Sequence, residues 1–204
     1  NRLKQFGVLS ARYFKLVAND RQRLLLLLVQ APLLAVLISF VANGKQFEQY
    51  EMSKSLLFAL SCSAFWVGML NSIQEICKER IIMKREYMTG LSLTSYLLSK
   101  ISVLGILCLI QSAMITGVFA LMVGLPDEGV FMPPFLELMV TTFITALASS
   151  AMGLFVSCIA KDTSVALTLP ALLLIPQMLF SGILFPLEGI VNKLSSIILC
   201  RWTV

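Results

Sequence analysis

Histidine is absent from these 204 residues, which removes the usual ligand sets for zinc and haem. The five cysteines, Cys62, Cys77, Cys108, Cys158 and Cys200, show no C-x-x-C spacing, so neither a metal knuckle nor a redox pair is signalled. Four of them fall in or beside apolar runs as small packing residues, and Cys200 is the one expected outside the cell. There is no N-x-S/T sequon, and no G-x-S-x-G or paired aspartate deep in an apolar run that would serve an intramembrane enzyme. No G-x-x-x-x-G-K-[ST] occurs, so this chain by itself lacks the loop that cradles nucleotide phosphates. Charge is scarce too, at 13% of positions. The chain begins with Asn1 and has no small-residue cleavage site after its first apolar run, so the expectation is an excerpt of a longer polypeptide without a signal peptide.

Oil is present in quantity. Hydrophobic residues make up 58% of the chain and mean hydropathy is +0.88, beyond the balance of a soluble domain. Apolar runs of about 20 residues match a hydrocarbon slab about 30 Å thick. Five spans are predicted, at 24–42, 55–73, 101–123, 136–160 and 164–185, the last interrupted by Pro170 and Pro176. Each must be helical, because an unpaired backbone group in hydrocarbon costs several kcal/mol. The fold class expected is therefore an all-α, polytopic helical bundle.

Charge sets the orientation. Residues 1–23 carry Arg2, Lys4, Arg12, Lys15, Arg21 and Arg23 against Asp20 alone, and 74–100 carry Lys78, Arg80, Lys84, Arg85 and Lys100. The 124–135 segment has Asp127 and Glu128 and no base. The net charge of +5 thus points to an anionic inner leaflet and not to nucleic acid, and the amino terminus is expected in the cytoplasm of a multi-pass cell-membrane protein. Residues 43–54 and 124–135 are then outside, and 74–100 and the "AKDT" turn at 160–163 inside. The closing 186–204 reads as an interfacial or re-entrant helix on the outer face. Residues 1–23 form an amphipathic helix expected to lie along the inner interface, with Leu3, Phe6, Val8, Leu9, Tyr13, Leu16 and Val17 recurring at helical spacing and Asn19 or Asp20 capping the first span.

The most charged passage is "QEICKERIIMKREYMTGLSLTSYLLSK" at 74–100. On an ideal helix Glu75, Lys78, Glu79, Arg85 and Glu86 share about a third of the circumference. Ile76, Cys77, Ile81, Met83, Tyr87, Met88 and Leu91 occupy the rest, with Arg80 and Lys84 set four apart among them. A carboxylate cluster for acid–base or metal chemistry is disfavoured by the cations alongside and the lack of histidine. Two readings stand: a solvated helix whose charges keep it out of the bilayer, with ion pairs worth about 0–1 kcal/mol each, or a docking lever between the spans and a soluble partner. Gly90 ends the helix, and Tyr96 and Lys100 are expected as headgroup anchors of the third span.

This passage resembles the segment after the second span of G-subfamily ABC exporters, in which a Glu-rich helix ending in an R-E or H-E pair is followed by Gly, Ser/Ala-Tyr and Lys. "QFGVLSARYFKLVANDRQRLLLLLVQAPLLAVLI" is similar to that family's connecting helix and first span, although here Asp20 precedes Arg21, and "MLFSGILFPLEGI" is similar to the end of its fifth span. Bacterial members fused to a forkhead-associated domain and an ATPase fit best. The resemblance implies a single ABC-transporter transmembrane domain over 1–204, in a bacterial inner membrane, with a sixth span beyond Val204. It also implies an ATP- and Mg-binding nucleotide-binding domain amino-terminal to Asn1, no cofactor in this chain itself, and a second copy of the module. Glu75, Glu79, Arg80, Arg85 and Glu86, packed near Arg12, would couple the spans to the ATPase.

Ser63, Val67 and Asn71 lie four apart on one face of the second span, flanked by Phe65 and Trp66. They are open to two readings, ordinary helix packing or, by resemblance, the lining of a central substrate cavity. Ile183 and Leu184 match an apolar pair that forms a valve in the family. Pro170 and Pro176 bend the fifth helix for gating or for fit. With no charge mid-span, the implied cargo of this exporter is lipid-like or amphipathic, moved by alternating access. The rival from another class is a membrane anchor or scaffold that recruits a cytoplasmic signalling partner.

Overall fold

Runs of leucine, valine and alanine have nowhere to send their backbone hydrogen bonds in hydrocarbon except along themselves. The structure, a computed structural model that describes residues 2–42, 50–125, 132–160, 162–179, 181 and 198–202, is accordingly helical, without a strand among those residues. Helix α1 is Arg2–Asn19, α2 Arg21–Val41, α3 Tyr50–Ser72, α4 Glu75–Met88, α5 Leu93–Met122, α6 Pro134–Ile159, α7 Thr163–Leu179 and α8 Leu199–Trp202. Four helices, α2, α3, α5 and α6, are long and apolar enough to cross a membrane, with α4 running on from α3. The fifth predicted span corresponds to α7, whose described part is 17 residues long with Pro170 and Pro176 inside it. Ile183, Leu184 and most of 186–204 lie outside the described residues.

The centre of the bundle is α3. Leu60, Phe65, Val67 and Met69 point to different sides of it and all are buried. Its most extensive neighbour is α6, and the two backbones nearly touch. A Cβ built on Gly68 would come within 2.1 Å of the Ala146 carbonyl oxygen, and one on Gly153 within 2.1 Å of Ser72 Oγ and 3.1 Å of the Met69 carbonyl oxygen. Lipid tails are as apolar as leucine, so membrane helices associate by such close approach of small residues. The hydroxyls along this seam are satisfied by backbone: Ser150 donates to Gly68 O at 3.2 Å and to Ala146 O at 3.0 Å. Peripheral α2 buries only Ala31, Ala35 and Ser39, a stripe at four-residue spacing, and turns Leu25, Leu26, Leu33 and Phe40 outward.

Local signals place the element ends. The Asp20 carboxylate accepts from the Arg23 backbone N–H at 3.2 Å and caps α2. Helix α4 stops where Gly90 takes φ +100°. Leu91 N–H donates to Glu86 O and Gly90 N–H to Tyr87 O, both at 3.1 Å, the paired bonds of a Schellman cap. Leu91 then packs into the apolar cluster around Leu9, Tyr13 and Ile76.

Three expectations change. Helix α5 starts at Leu93, eight residues ahead of the span expected at 101–123, and Tyr96 and Lys100 lie inside the fold at 3% and 1% exposure and are not headgroup anchors; the acids of α4 supply what water would have. The apolar stripe of α1 splits. Leu9 and Tyr13 are buried, with Val17 packed beside them, whereas Leu3, Val8 and Leu16 are exposed. Finally, the acids of the charged strip, Glu75, Glu79 and Glu86, turn toward the protein while its Lys78 and Arg85 stay exposed, and Ile81, Tyr87 and Met88 of the apolar face are exposed although Ile76 is buried.

Candidate functional site

At the end of the bundle where α1, α2, α4 and α5 converge, the sequence supplies acids at one-turn spacing on α4 and single cations on its neighbours. Glu75, 3% exposed, is bridged on both oxygens: Arg23 of α2 pairs with Oε1 and Lys100 Nζ of α5 lies 3.1 Å from Oε2. Lys100 also reaches Glu79 Oε2 at 2.9 Å, where the Tyr96 hydroxyl donates over the same distance. The ammonium stands 3.6 Å from the centroid of the Tyr13 ring on α1, which adds a cation–π attraction strengthened by desolvation. Two cations face two carboxylates, so the cluster buries no net charge, the condition under which buried ions are tolerated. Burial alone would raise the Glu75 pKa, but Lys100 and Arg23 outweigh it and hold the carboxyl below the ordinary carboxylate range.

The two ends of α4 are fastened differently. At its start Gln74 provides no side-chain cap. Ser157 Oγ of α6 accepts from the backbone N–H groups of Ile76 and Cys77 at 3.2 and 3.0 Å instead, taking up two of the orphan donors of a helix's first turn. Arg80 donates to Cys158 O at 2.5 Å, a second tie to the end of α6. At the far end Arg12 of α1 pairs with Glu86 at 2.6 Å in a half-exposed setting. That hydrogen bond is the main reason the Arg12 guanidinium titrates above its ordinary value. Gln5 works both ways, donating to Gly90 O at 3.3 Å and accepting from Ser92 N–H at 3.4 Å, so α1 also holds the turn that leaves α4.

Of the residues singled out from sequence for coupling, Glu75, Glu79, Arg80, Glu86 and Arg12 are thus brought into one junction. Arg85 is exposed on the outward side of α4. Reading the sequence alone missed Arg23, Tyr13, Gln5 and Ser157 and misplaced Lys100. The signal available was the balance of charge: acids at 75 and 79 beside a membrane need cations at the same depth, and Arg23 and Lys100 stand at the matching ends of their spans.

The cavity candidates fall elsewhere. Val67 and Asn71 have no exposed surface and Ser63 has 9%. Val67 packs against α2 and α5 residues such as Ala31, Ala35 and Ile115. Asn71 Nδ2 donates to Gln111 Oε1 at 2.5 Å, and Gln111 Nε2 reaches Leu27 O at 2.7 Å, so an amide pair joins α2, α3 and α5. Ser63 donates to Ala59 O at 2.9 Å. Within one chain these side chains act in helix packing, and the partly open stripe of α3 is Ala59, Cys62, Trp66 and Leu70.

A bundle of apolar helices with a charged helix bolted across one end defines a polytopic membrane module. A family profile described as "ABC-2 type transporter" matches residues 4–202, and the chain belongs to that family. It is also similar to the ABC transporter ATP-binding/permease protein Rv1747 of Mycobacterium tuberculosis (strain ATCC 25618 / H37Rv). The two are 29% identical over 210 residues, an alignment covering 98% of this chain and 24% of the relative. The chain therefore spans about a quarter of that protein's length.

Proposed function

We propose that this chain is the membrane half of an ATP-driven exporter whose outward-facing α4 surface is gripped by a nucleotide-binding domain that binds ATP and Mg. The observation that carries this reading is the construction of α4. The helix is fixed to α1, α2, α5 and α6 through Glu86, Glu75, Glu79, Arg80 and the Ser157 cap, while Ile81, Arg85 and Met88 are exposed. A push on that surface reaches four helices at once, because packed elements shift as units. In this division the acids of α4 hold the lever and Arg85 meets the motor. The printed name of the Mycobacterium relative joins ATP binding and permease in one protein, which supports a motor in the same polypeptide, placed by us before Asn1. The basic segments 1–23 and 74–100 favour a cytoplasmic amino terminus.

Transport would use two copies, and their shared cavity would be bordered by the partly open Cys62, Trp66 and Leu70 stripe of α3 and not by Val67 or Asn71. Ile183 and Leu184 keep their proposed place as a valve. The predicted spans carry no charged residue near their middle, Glu137 standing at the very start of the fourth. The clefts between α2 and α3, of about 540 Å³, and between α5 and α6, of about 300 Å³, are lined almost wholly by apolar side chains. Both features favour a lipid-like or amphipathic cargo moved by alternating access.

The test is cysteine cross-linking in the intact polypeptide. Arg85→Cys should cross-link to a cysteine on the ATPase domain with a yield that changes when ATP is added, whereas Lys54→Cys, near the opposite end of α3, should not. Absence of any Arg85→Cys cross-link, or a yield indifferent to nucleotide, would overturn the lever reading and leave the anchor or scaffold.

A further inference from the structure

Between the second half of α1, the first turn of α2 and α4 lies a cleft of about 950 Å³, separate from the clefts along the spans. Five cations line it: Arg12, Lys15, Arg21, Arg23 and Lys78. Arg12 and Arg23 are committed to Glu86 and Glu75. The acids on the lining are committed as well, Glu79 to Lys100 and Asp20 to the cap of α2. Lys15, Arg21 and Lys78 are exposed and belong to no ion pair among the described residues. Five cations against Asp20, Glu75 and Glu79 leave the lining with a net charge of +2 and a positive field. Its wall also includes Tyr13, 5% exposed, whose hydroxyl lies beside the Glu75 carboxylate.

We infer that this cleft binds the phosphodiester headgroup of an anionic phospholipid from the leaflet beside α1 and α4. Charge complementarity alone would also suit an acidic protein surface, but the apolar path leading away from the cleft favours lipid. Immediately beyond Arg23 the outward side of α2 presents Leu25, Leu26 and Val29, exposed at 62%, 64% and 48%, and Phe14 and Leu16 of α1 are exposed beside the lining. A phosphate held by Lys15, Arg21 and Lys78 places its acyl chains along that track. A soluble acid has no use for it. Each juxtamembrane cation is worth about 1 kcal/mol toward an anionic surface, so three together are worth a change in affinity on the order of a hundredfold.

The experiment titrates the purified intact polypeptide in mild detergent with phosphatidylglycerol or phosphatidylcholine and reads bound lipid by native mass spectrometry. Phosphatidylglycerol should bind at least about tenfold more tightly than phosphatidylcholine. The combined Lys15→Gln, Arg21→Gln, Lys78→Gln variant should lose most of that preference, and Lys84→Gln, on the same helix but off the cleft, should keep it. The double Lys15→Arg, Lys78→Arg variant, with Arg21 unchanged, should retain binding, which separates lost charge from lost folding. Equal binding of the two lipids, or an undiminished preference in the triple glutamine variant, would overturn the inference. So would displacement of phosphatidylglycerol by equimolar glycerol 1-phosphate, which would make the ligand a soluble phosphate. Loss of ATPase-domain contact with lipid binding intact would make the ligand an acidic protein surface and likewise overturn it.

Discussion

The α3–α6 seam and the ionic junction hold the same bundle by opposite means. Along the seam there is no charge: Gly68 and Gly153 let backbones approach, and the Ser150 hydroxyl lies within reach of a carbonyl one turn back, Ala146 O, and of one across the seam, Gly68 O. At the junction, long side chains from four helices meet through Glu75, Lys100 and Glu79. The difference follows from what surrounds each. In hydrocarbon, contact distance is the available source of specificity, and small residues supply it. At the edge of the membrane, charges can be brought in already hydrated and then paired, so a removable polar joint becomes possible. The seam is a close, uncharged contact, and the junction is where the proposed lever would introduce a movement.

The comparison is broken most severely at Glu75. Glu75→Leu leaves Arg23 without a buried counter-ion and Lys100 with half its partners, at an expected cost of about 3–5 kcal/mol, measured as thermal unfolding in nanodiscs. The same carboxyl gives the pH dependence its sign. Because its folded pKa is depressed, the stabilisation is complete above the ordinary carboxylate pKa and is lost as pH falls through the lower folded value. A wild-type protein that melts identically at neutral pH and in strong acid would contradict this.

Gly68→Ala should rank next, at about 1–3 kcal/mol or more, because its methyl group meets a backbone oxygen that cannot rotate away. Gly105→Ala is the matched control, since a Cβ there finds only Leu147 Cδ1 at 3.5 Å, an ordinary contact. Equal effects at the two glycines would remove the close-approach argument. A double-mutant cycle on Asn71→Ala and Gln111→Ala should return a smaller coupling, about 0.6–1.7 kcal/mol, read from the same melts. Smallest of all, Arg12→Gln should shift stability by no more than about 1 kcal/mol, because the Arg12–Glu86 pair is solvent-screened. A loss as large as that of Glu75→Leu would make the two ion pairs equivalent and end the contrast.

Sequence was a good guide where one residue's chemistry acts alone. A cap at Asn19 or Asp20, Gly90 as a stop and the apolar runs of α2, α3 and α6 could all be read from order and spacing, because local hydrogen bonding and transfer from water need no knowledge of neighbours. It was a poor guide where a side chain's role depends on what arrives from elsewhere. Lys100 reads as a headgroup anchor until Glu75 and Glu79, more than 20 residues away in sequence, are folded onto it. Asn71 and Val67 share a face with Ser63 on paper, and α2 and α5 close over that face in space.

Composition and periodicity by themselves determined that this chain is a helical membrane module with a basic, charged end, since burying or exposing an apolar run is decided by the run itself. Only the tertiary structure decided which way α4 faces. Its acids turn inward because Arg23 and Lys100 wait there, and pairing a buried charge outweighs the preference of any single helix for wet polar and dry apolar sides.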